Sequence, residues 1–156
     1  LVAMSNKLPQ PLYYFRAGLC HDIAKGVAPA TIKQYLEANE ASGEVLMEDQ
    51  VLHQFYGAYL AKKEFNLTRG ELEAIRYHTT GYKKMSPLMK VIYLVDKVEP
   101  LRKRDDDILH LAFKNYQAAF LEVVRRHEAA LKQKLGKVSN IYTVSMIKSY
   151  LRSDVN

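Results

Sequence analysis

The chain has 156 residues and a mass of 17.9 kDa, which is the size of one domain with a single core. Its 48% hydrophobic and 26% charged residues exclude a disordered or fibrous chain, and its longest aliphatic and aromatic run, residues 91–95, is too short to cross a membrane. The 23 basic and 17 acidic residues give a net charge of +6, which allows nucleic acid, an anionic membrane or a phosphate-rich small molecule as partner without choosing between them.

Apolar periodicity predicts helices throughout the first half of the chain. Residues 1–4 resemble the last turn of a helix. A second helix is predicted over Pro11–Lys25, a third from Pro29 to Leu36 and a fourth over Val51–Phe65, ended by Asn66. The second helix places Leu12, Phe15, Leu19 and Asp22 on one face, so that a carboxylate ends an apolar stripe.

The second half of the chain continues the helical pattern. Thr68 and Glu71 form a capping box that predicts a short helix carrying His78 and ended by Gly81. Ser86 and Pro87 start the next helix, whose apolar face ends at Asp96 before Pro100. One long helix is predicted over 106–135, closed by Gly136, and a last one over 142–151. Because no strand pattern or repeat is present, the predicted fold class is all-α.

Two aspartates and three histidines are the candidate site residues, namely His21, Asp22, His53, His78 and Asp96. A carboxylate on a buried stripe is costly unless it is paired or binds a metal, and histidine with carboxylate suits divalent transition metals. The alternatives are that each aspartate marks the point where its helix emerges into water, and that the histidines belong to the core. His110 and His127 are interpreted as surface or core residues. No CxxC pair or HExxH motif is present.

Four motifs then stand in order: His21–Lys25, Leu52–Leu60, Ile75–Gly81 and Ile92–Arg102. Together they closely resemble the YqeK family, a branch of the HD-domain metal-dependent phosphohydrolases. The resemblance covers about residues 12–102 and implies an all-α HD-domain helical bundle. It also implies a symmetrical bis(5'-nucleosyl)-tetraphosphatase, an enzyme that splits diadenosine tetraphosphate into two ADP. The implied cofactor is a pair of divalent ions, with iron expected and manganese or another transition metal as the alternative.

The resemblance also implies a role for each site residue. His21, Asp22 and Asp96 are expected to bind one ion, and Asp22, His53 and His78 the other, with Asp22 bridging the two ions. Lys25, Thr79 and Arg102 match positions that face the phosphates, and Thr80 is included as a further substrate-binding residue. Asp22, Lys25 and Arg102 are the predicted catalytic residues, with the two ions activating the attacking water. Thr79 and Thr80 could instead cap a helix end.

The family pattern begins with a histidine on an earlier helix, whereas no histidine precedes His21 here. We therefore expect residues 1–156 to be a single HD domain that lacks its first helix and comes from a longer chain. The alternative is that one ligand has been lost. The single cysteine, Cys20, and the absence of a secretory signal predict a cytoplasmic location, and relatives suggest a homodimer.

Other functions are compatible with the same sequence. Within the same superfamily, the chain could be another nucleotidase or pyrophosphohydrolase. From a different class, it could be a non-catalytic module that binds nucleotides or RNA through basic residues between 125 and 137. A compact dinucleoside polyphosphate explains the positive charge more economically than a nucleic acid, and adenine could stack on Tyr56, Tyr59, Tyr77 or Tyr82.

Overall fold

The computed structural model describes residues 1–39, 49–98, 106–133 and 140–152. Within these ranges every regular element is a helix, which confirms the all-α prediction. The helices are α1 Val2–Ser5, α2 Pro11–Cys20, α3 Pro29–Asn39, α4 Asp49–Phe65, α5 Arg69–Arg76, α6 Pro87–Lys97, α7 Asp106–Lys114, α8 Tyr116–Gln133 and α9 Ile141–Leu151. None of the described helices is both long and apolar enough to span a bilayer.

Helix α6 forms the centre of the bundle. Val91, Ile92, Tyr93 and Leu94 are almost completely buried, so the turn of the helix that they form is covered on nearly all sides. It packs against α2, α5 and α8, while α4 packs against α3 and α5. The side chain of Ser86 caps α6 by accepting from the amide of Met89, as the sequence predicts. Asp96 lies in the last turn of this buried helix, at the end of the bundle where the other candidate ligands are found.

The prediction of one long helix over 106–135 is wrong in one respect, because the helix is interrupted at Asn115, which separates α7 from α8. The side chain of Asn115 accepts hydrogen bonds from the amides of Gln117 and Ala118, which caps the start of α8. Asn6 also links the two sides of the break, donating to the carbonyl of Ala112 and accepting from the amide of Tyr116. Apolar periodicity continues through the break and so does not reveal it.

The expectations for α2 need two corrections. The helix ends at Cys20, not Lys25, and residues 21–26 form successive turns. Its predicted inward stripe is also largely exposed, since Leu12, Phe15 and Leu19 are 60%, 62% and 69% accessible. The helix instead buries the face that carries Ala17 and Cys20. The exposed stripe borders an apolar groove of about 530 Å³ between α1, α2 and α6.

Candidate metal centre

Four separate segments bring the predicted ligands to one end of the bundle. His21 and Asp22 lie in the turn after α2, and His53 lies in the N-terminal part of α4. Helix α5 has the predicted capping box but ends at Arg76, so His78 lies in the turn after it and not on the helix. Asp96 is in the last turn of α6. The turn places the His78 side chain in the interior, with no exposed surface.

The three histidines share one hydrogen-bonding pattern. Each ring directs Nδ1 to a backbone carbonyl three residues earlier: His21 to Gly18 at 2.6 Å, His53 to Gln50 at 3.0 Å and His78 to Ile75 at 2.7 Å. Because a carbonyl oxygen only accepts, we assign the proton of each neutral ring to Nδ1. Each Nε2 is then left with its lone pair, which is the arrangement that a histidine ligand of a metal usually has.

The Nε2 atoms of His53 and His78 converge on one oxygen of Asp22. The Nε2 atoms of His53 and His78 are 3.1 Å apart, and Asp22 Oδ1 lies 3.4 Å from the first and 3.6 Å from the second. This buried oxygen has no hydrogen-bond partner among the described residues. Two imidazole nitrogens and a carboxylate oxygen therefore face one another, and among the described residues the Thr79 hydroxyl, 3.4 Å from His53 Nε2, is the neighbouring donor. A divalent cation would satisfy all three of these atoms.

The other oxygen of Asp22 faces a second group of ligands. Oδ2 lies 3.6 Å from His21 Nε2, which lies 3.9 Å from Asp96 Oδ1. One ligand atom from each of His21, Asp22, His78 and Asp96 falls within 4.8 Å of all the others. His78, which the resemblance assigns to one ion only, thus belongs to both groups by distance. The nitrogen and carboxylate ligand set can hold a divalent transition-metal ion.

The predicted substrate-binding residues differ in how they meet this centre. Lys25 Nζ lies 2.5 Å from Asp22 Oδ2, and Thr79 Oγ1 lies 3.4 Å from His53 Nε2. Thr80 is only 1% exposed, and its hydroxyl donates to the carbonyl of Gly81. This burial favours the alternative for Thr80, which is hydrogen bonding to backbone groups after the end of α5. Arg102 lies outside the described residues.

The chain is similar to known proteins in both sequence and structure. The family model of the HD domain matches residues 1–101. The chain belongs to the HD-domain family. A crystal structure of a predicted HD superfamily hydrolase involved in NAD metabolism, from Clostridium acetobutylicum, aligns with a TM-score of 0.82 and 28% identity. The alignment covers 97% of this chain and 82% of that one.

Curated relatives of this HD domain have two kinds of name. A probable nicotinate-nucleotide adenylyltransferase/Ap4A hydrolase of Mycoplasma pneumoniae is 36% identical over 67% of this chain and 30% of its own length. Symmetrical bis(5'-nucleosyl)-tetraphosphatases are 32% identical in Bacillus subtilis, over 76% of this chain and 66% of the relative, and 30% in Staphylococcus aureus, over 88% and 74%. The HD domain thus spans about a third of the bifunctional relative. The resemblance to the YqeK family is confirmed.

Local electrostatics favour the metal-binding protonation states of Asp22, His53 and Asp96. The pKa of Asp22 lies well below its usual range against the effect of burial: a hydrogen bond from His78 lowers it when that ring carries a proton on Nε2, and Lys25 lowers it further. Burial opposes ionisation of Asp96, but Lys97, 2.8 Å from its carboxylate, brings the pKa of Asp96 below the usual value. Burial, reinforced by His78, lowers the pKa of His53. At neutral pH the aspartates are ionised and His53 is neutral, as metal binding requires.

The positive charge of the HD domain is partly neutralised within α8. Three of its basic residues form ion pairs with acidic neighbours: Arg125 with Glu122, Arg126 with Glu122 and Asp107, and Lys132 with Glu128. These contacts weaken the argument for an RNA-binding face. The remaining histidines are outside the cluster, with His110 exposed and His127 bound to the Tyr93 hydroxyl at 2.9 Å.

Sequence reasoning missed one polar residue beside the centre. Gln54 follows His53 on α4 and is completely buried. Its side-chain oxygen accepts from the backbone amides of Thr79 and Thr80, and its nitrogen donates to the Thr80 hydroxyl. The signal in the sequence was an amide side chain between Leu52 and Phe55, both of them core positions.

Proposed function

We propose that this HD domain is a metal-dependent phosphohydrolase that cleaves diadenosine tetraphosphate symmetrically. The reaction adds one water across the central phosphoanhydride bond and yields two ADP. The names of three curated relatives, symmetrical bis(5'-nucleosyl)-tetraphosphatases, support the substrate and the products. The observation that carries the proposal is the convergence of His53 and His78 on the unpartnered oxygen of Asp22.

The proposed centre holds two divalent ions, for which we favour iron. His21, Asp22 and Asp96 would hold one ion, and Asp22, His53 and His78 the other, with one oxygen of Asp22 directed to each group. When bound, such ions act as Lewis acids on a phosphate and lower the pKa of a coordinated water. Asp22 is the residue on which both halves of the site depend, because both groups include it.

The residues around the centre would serve the polyphosphate chain. Lys25 is 59% exposed at its side chain and reaches Asp22, so its ammonium group stands where the carboxylate meets solvent. From there it can bind a phosphate oxygen and balance the negative charge that develops in the reaction. The Thr79 hydroxyl beside His53 can donate to a second phosphate oxygen. From the family resemblance, we assign Arg102 the same charge-balancing role. The resemblance also leads us to propose that the protein is a homodimer with a cytoplasmic location.

Product analysis tests this function. The purified domain is loaded with Fe²⁺ under anaerobic conditions, or with Mn²⁺, and incubated with diadenosine tetraphosphate. Anion-exchange chromatography should show ADP as the sole product, with two ADP for each substrate consumed. Formation of AMP and ATP would contradict symmetrical cleavage, and consumption of mononucleotides alone would favour another nucleotidase. Asp22→Asn, which preserves size but removes one ligand oxygen, is the matched inactive variant.

A further inference from the structure

Gln54 links two of the segments that carry proposed metal ligands. It lies next to His53 on α4, and its side-chain oxygen is 3.0 Å from the Thr79 amide and 3.2 Å from the Thr80 amide. Those two amides come directly after His78. A single carboxamide therefore connects the backbone beside one histidine with the backbone beside the other, across 25 positions of sequence. Gln54 has no solvent exposure and Thr80 is only 1% exposed, so water cannot readily replace the bond between them.

Helix α9, which lies far along the sequence, also holds the turn after α5. Thr143 of α9 donates from its hydroxyl to the carbonyl of Thr80 at 3.0 Å. Gly81 follows with a φ of 71°, and a Cβ at this position would collide with the sulfur of Met146. Because α9 fixes Thr80 and Gly81, the remaining freedom lies at His78 and Thr79. The His78 ring is held locally by its bond to the carbonyl of Ile75, and Gln54 adds a restraint from α4 by binding the amide of Thr79.

We propose that Gln54 is a positioning residue that sets the separation of the His53 and His78 rings. The inference rests on the proposed metal centre and deepens it. Without the acceptor on Gln54, the buried amide of Thr80 and the amide of the half-buried Thr79 would lose their partner, and the turn would shift to find one. His78 moves with this turn, so the two Nε2 atoms would lose the 3.1 Å spacing at which they face Asp22.

Metal affinity is the readout that tests this role. Gln54→Met keeps the length of the side chain and removes the acceptor. The affinity of the metal-free protein for Mn²⁺ is measured by competition with a chromophoric chelator. We expect a loss of roughly 10- to 100-fold, the range found when groups that orient metal ligands are removed. Gln54→Glu retains an accepting oxygen in either protonation state, and should recover much of that affinity.

Asn6 supplies a matched control for general loss of stability. It makes the same kind of carboxamide bridge between helices, from the carbonyl of Ala112 to the amide of Tyr116, and has no contact with the ligands. Asn6→Leu should lower the melting temperature and leave the affinity for Mn²⁺ unchanged.

The outcomes separate the two proposals. If the unmodified protein binds Mn²⁺ and Gln54→Met binds it equally well, the positioning role is overturned while the metal centre stands. If Asn6→Leu loses as much affinity as Gln54→Met, the effect is one of stability and the positioning role is again overturned. If the unmodified protein binds no Mn²⁺, Fe²⁺ or Co²⁺, the proposed function fails and the role of Gln54 fails with it.

Discussion

Replacing Asp22 by asparagine should remove the stabilisation that metal ions give to the folded protein. Both proposed ligand groups include Asp22, one through Oδ1 beside His53 and His78 and the other through Oδ2 beside His21. An asparagine keeps one oxygen and introduces an NH₂ group that donates to the Nε2 lone pairs. Those lone pairs are then occupied by a hydrogen bond and are no longer available to a cation.

The size of the effect follows from linkage. An ion present at 100 times its Kd stabilises the folded state by about 2.7 kcal/mol per site. For a chain of 156 residues, each kcal/mol raises Tm by roughly 2–4 °C, so one ion should raise it by roughly 5–11 °C and two by about twice as much. Asp22→Asn should abolish this rise.

Thermal unfolding followed by circular dichroism, with and without Mn²⁺, measures the rise directly. His110→Gln is the control, because His110 is exposed on α7 and stands outside the cluster; it should show the full rise. If Asp22→Asn shows the same rise as the unmodified chain, Asp22 does not bridge the ions and the reasoning is refuted.

Three further predictions concern single residues. His53→Gln should lower the metal content from two ions to one per chain, measured by inductively coupled plasma mass spectrometry; an unchanged content of two would exclude His53 as a required ligand. Lys25→Met should lower kcat for diadenosine tetraphosphate roughly 100-fold, the effect of losing one charge-stabilising donor, without loss of metal. Unchanged kcat would remove Lys25 from the phosphate site. Arg16→Met should lower the free energy of unfolding in urea by about 3–5 kcal/mol, because the partner carboxylate of Glu71 is fully buried. A loss below about 1 kcal/mol, typical of exposed ion pairs, would contradict this.

Local signals in the sequence were sufficient for most of the helices. Thr68 and Ser86 cap α5 and α6 as predicted, and Asn66 adopts the left-handed conformation expected after α4, with a φ of 46°. These features depend on residues within one turn of each other. The break at Asn115 depends also on Asn6, more than 100 positions away, and so could not be predicted from periodicity.

The candidate site shows the same division between local and distant information. Motif order identified His21, Asp22, His53, His78 and Asp96, and the structure brings all five side chains together. The end of α2 and the burial of Thr80 could not be predicted, because both depend on contacts with other helices. Exposure of the α2 stripe was missed for a related reason. Periodicity shows that a helix has an apolar face, but not which other element covers it.

The contact of α9 with the turn after α5 limits how far the domain can be shortened from its C-terminal end. The family model ends at residue 101, and all five proposed metal ligands lie before that point. The hydroxyl of Thr143 and the sulfur of Met146 nevertheless support the turn that carries His78. A shortened protein that stops at residue 101 would keep every ligand and lose this support. We therefore expect the smallest unit that holds the proposed metal ligands in place to extend about 50 residues beyond residue 101, to Leu151 at the end of α9.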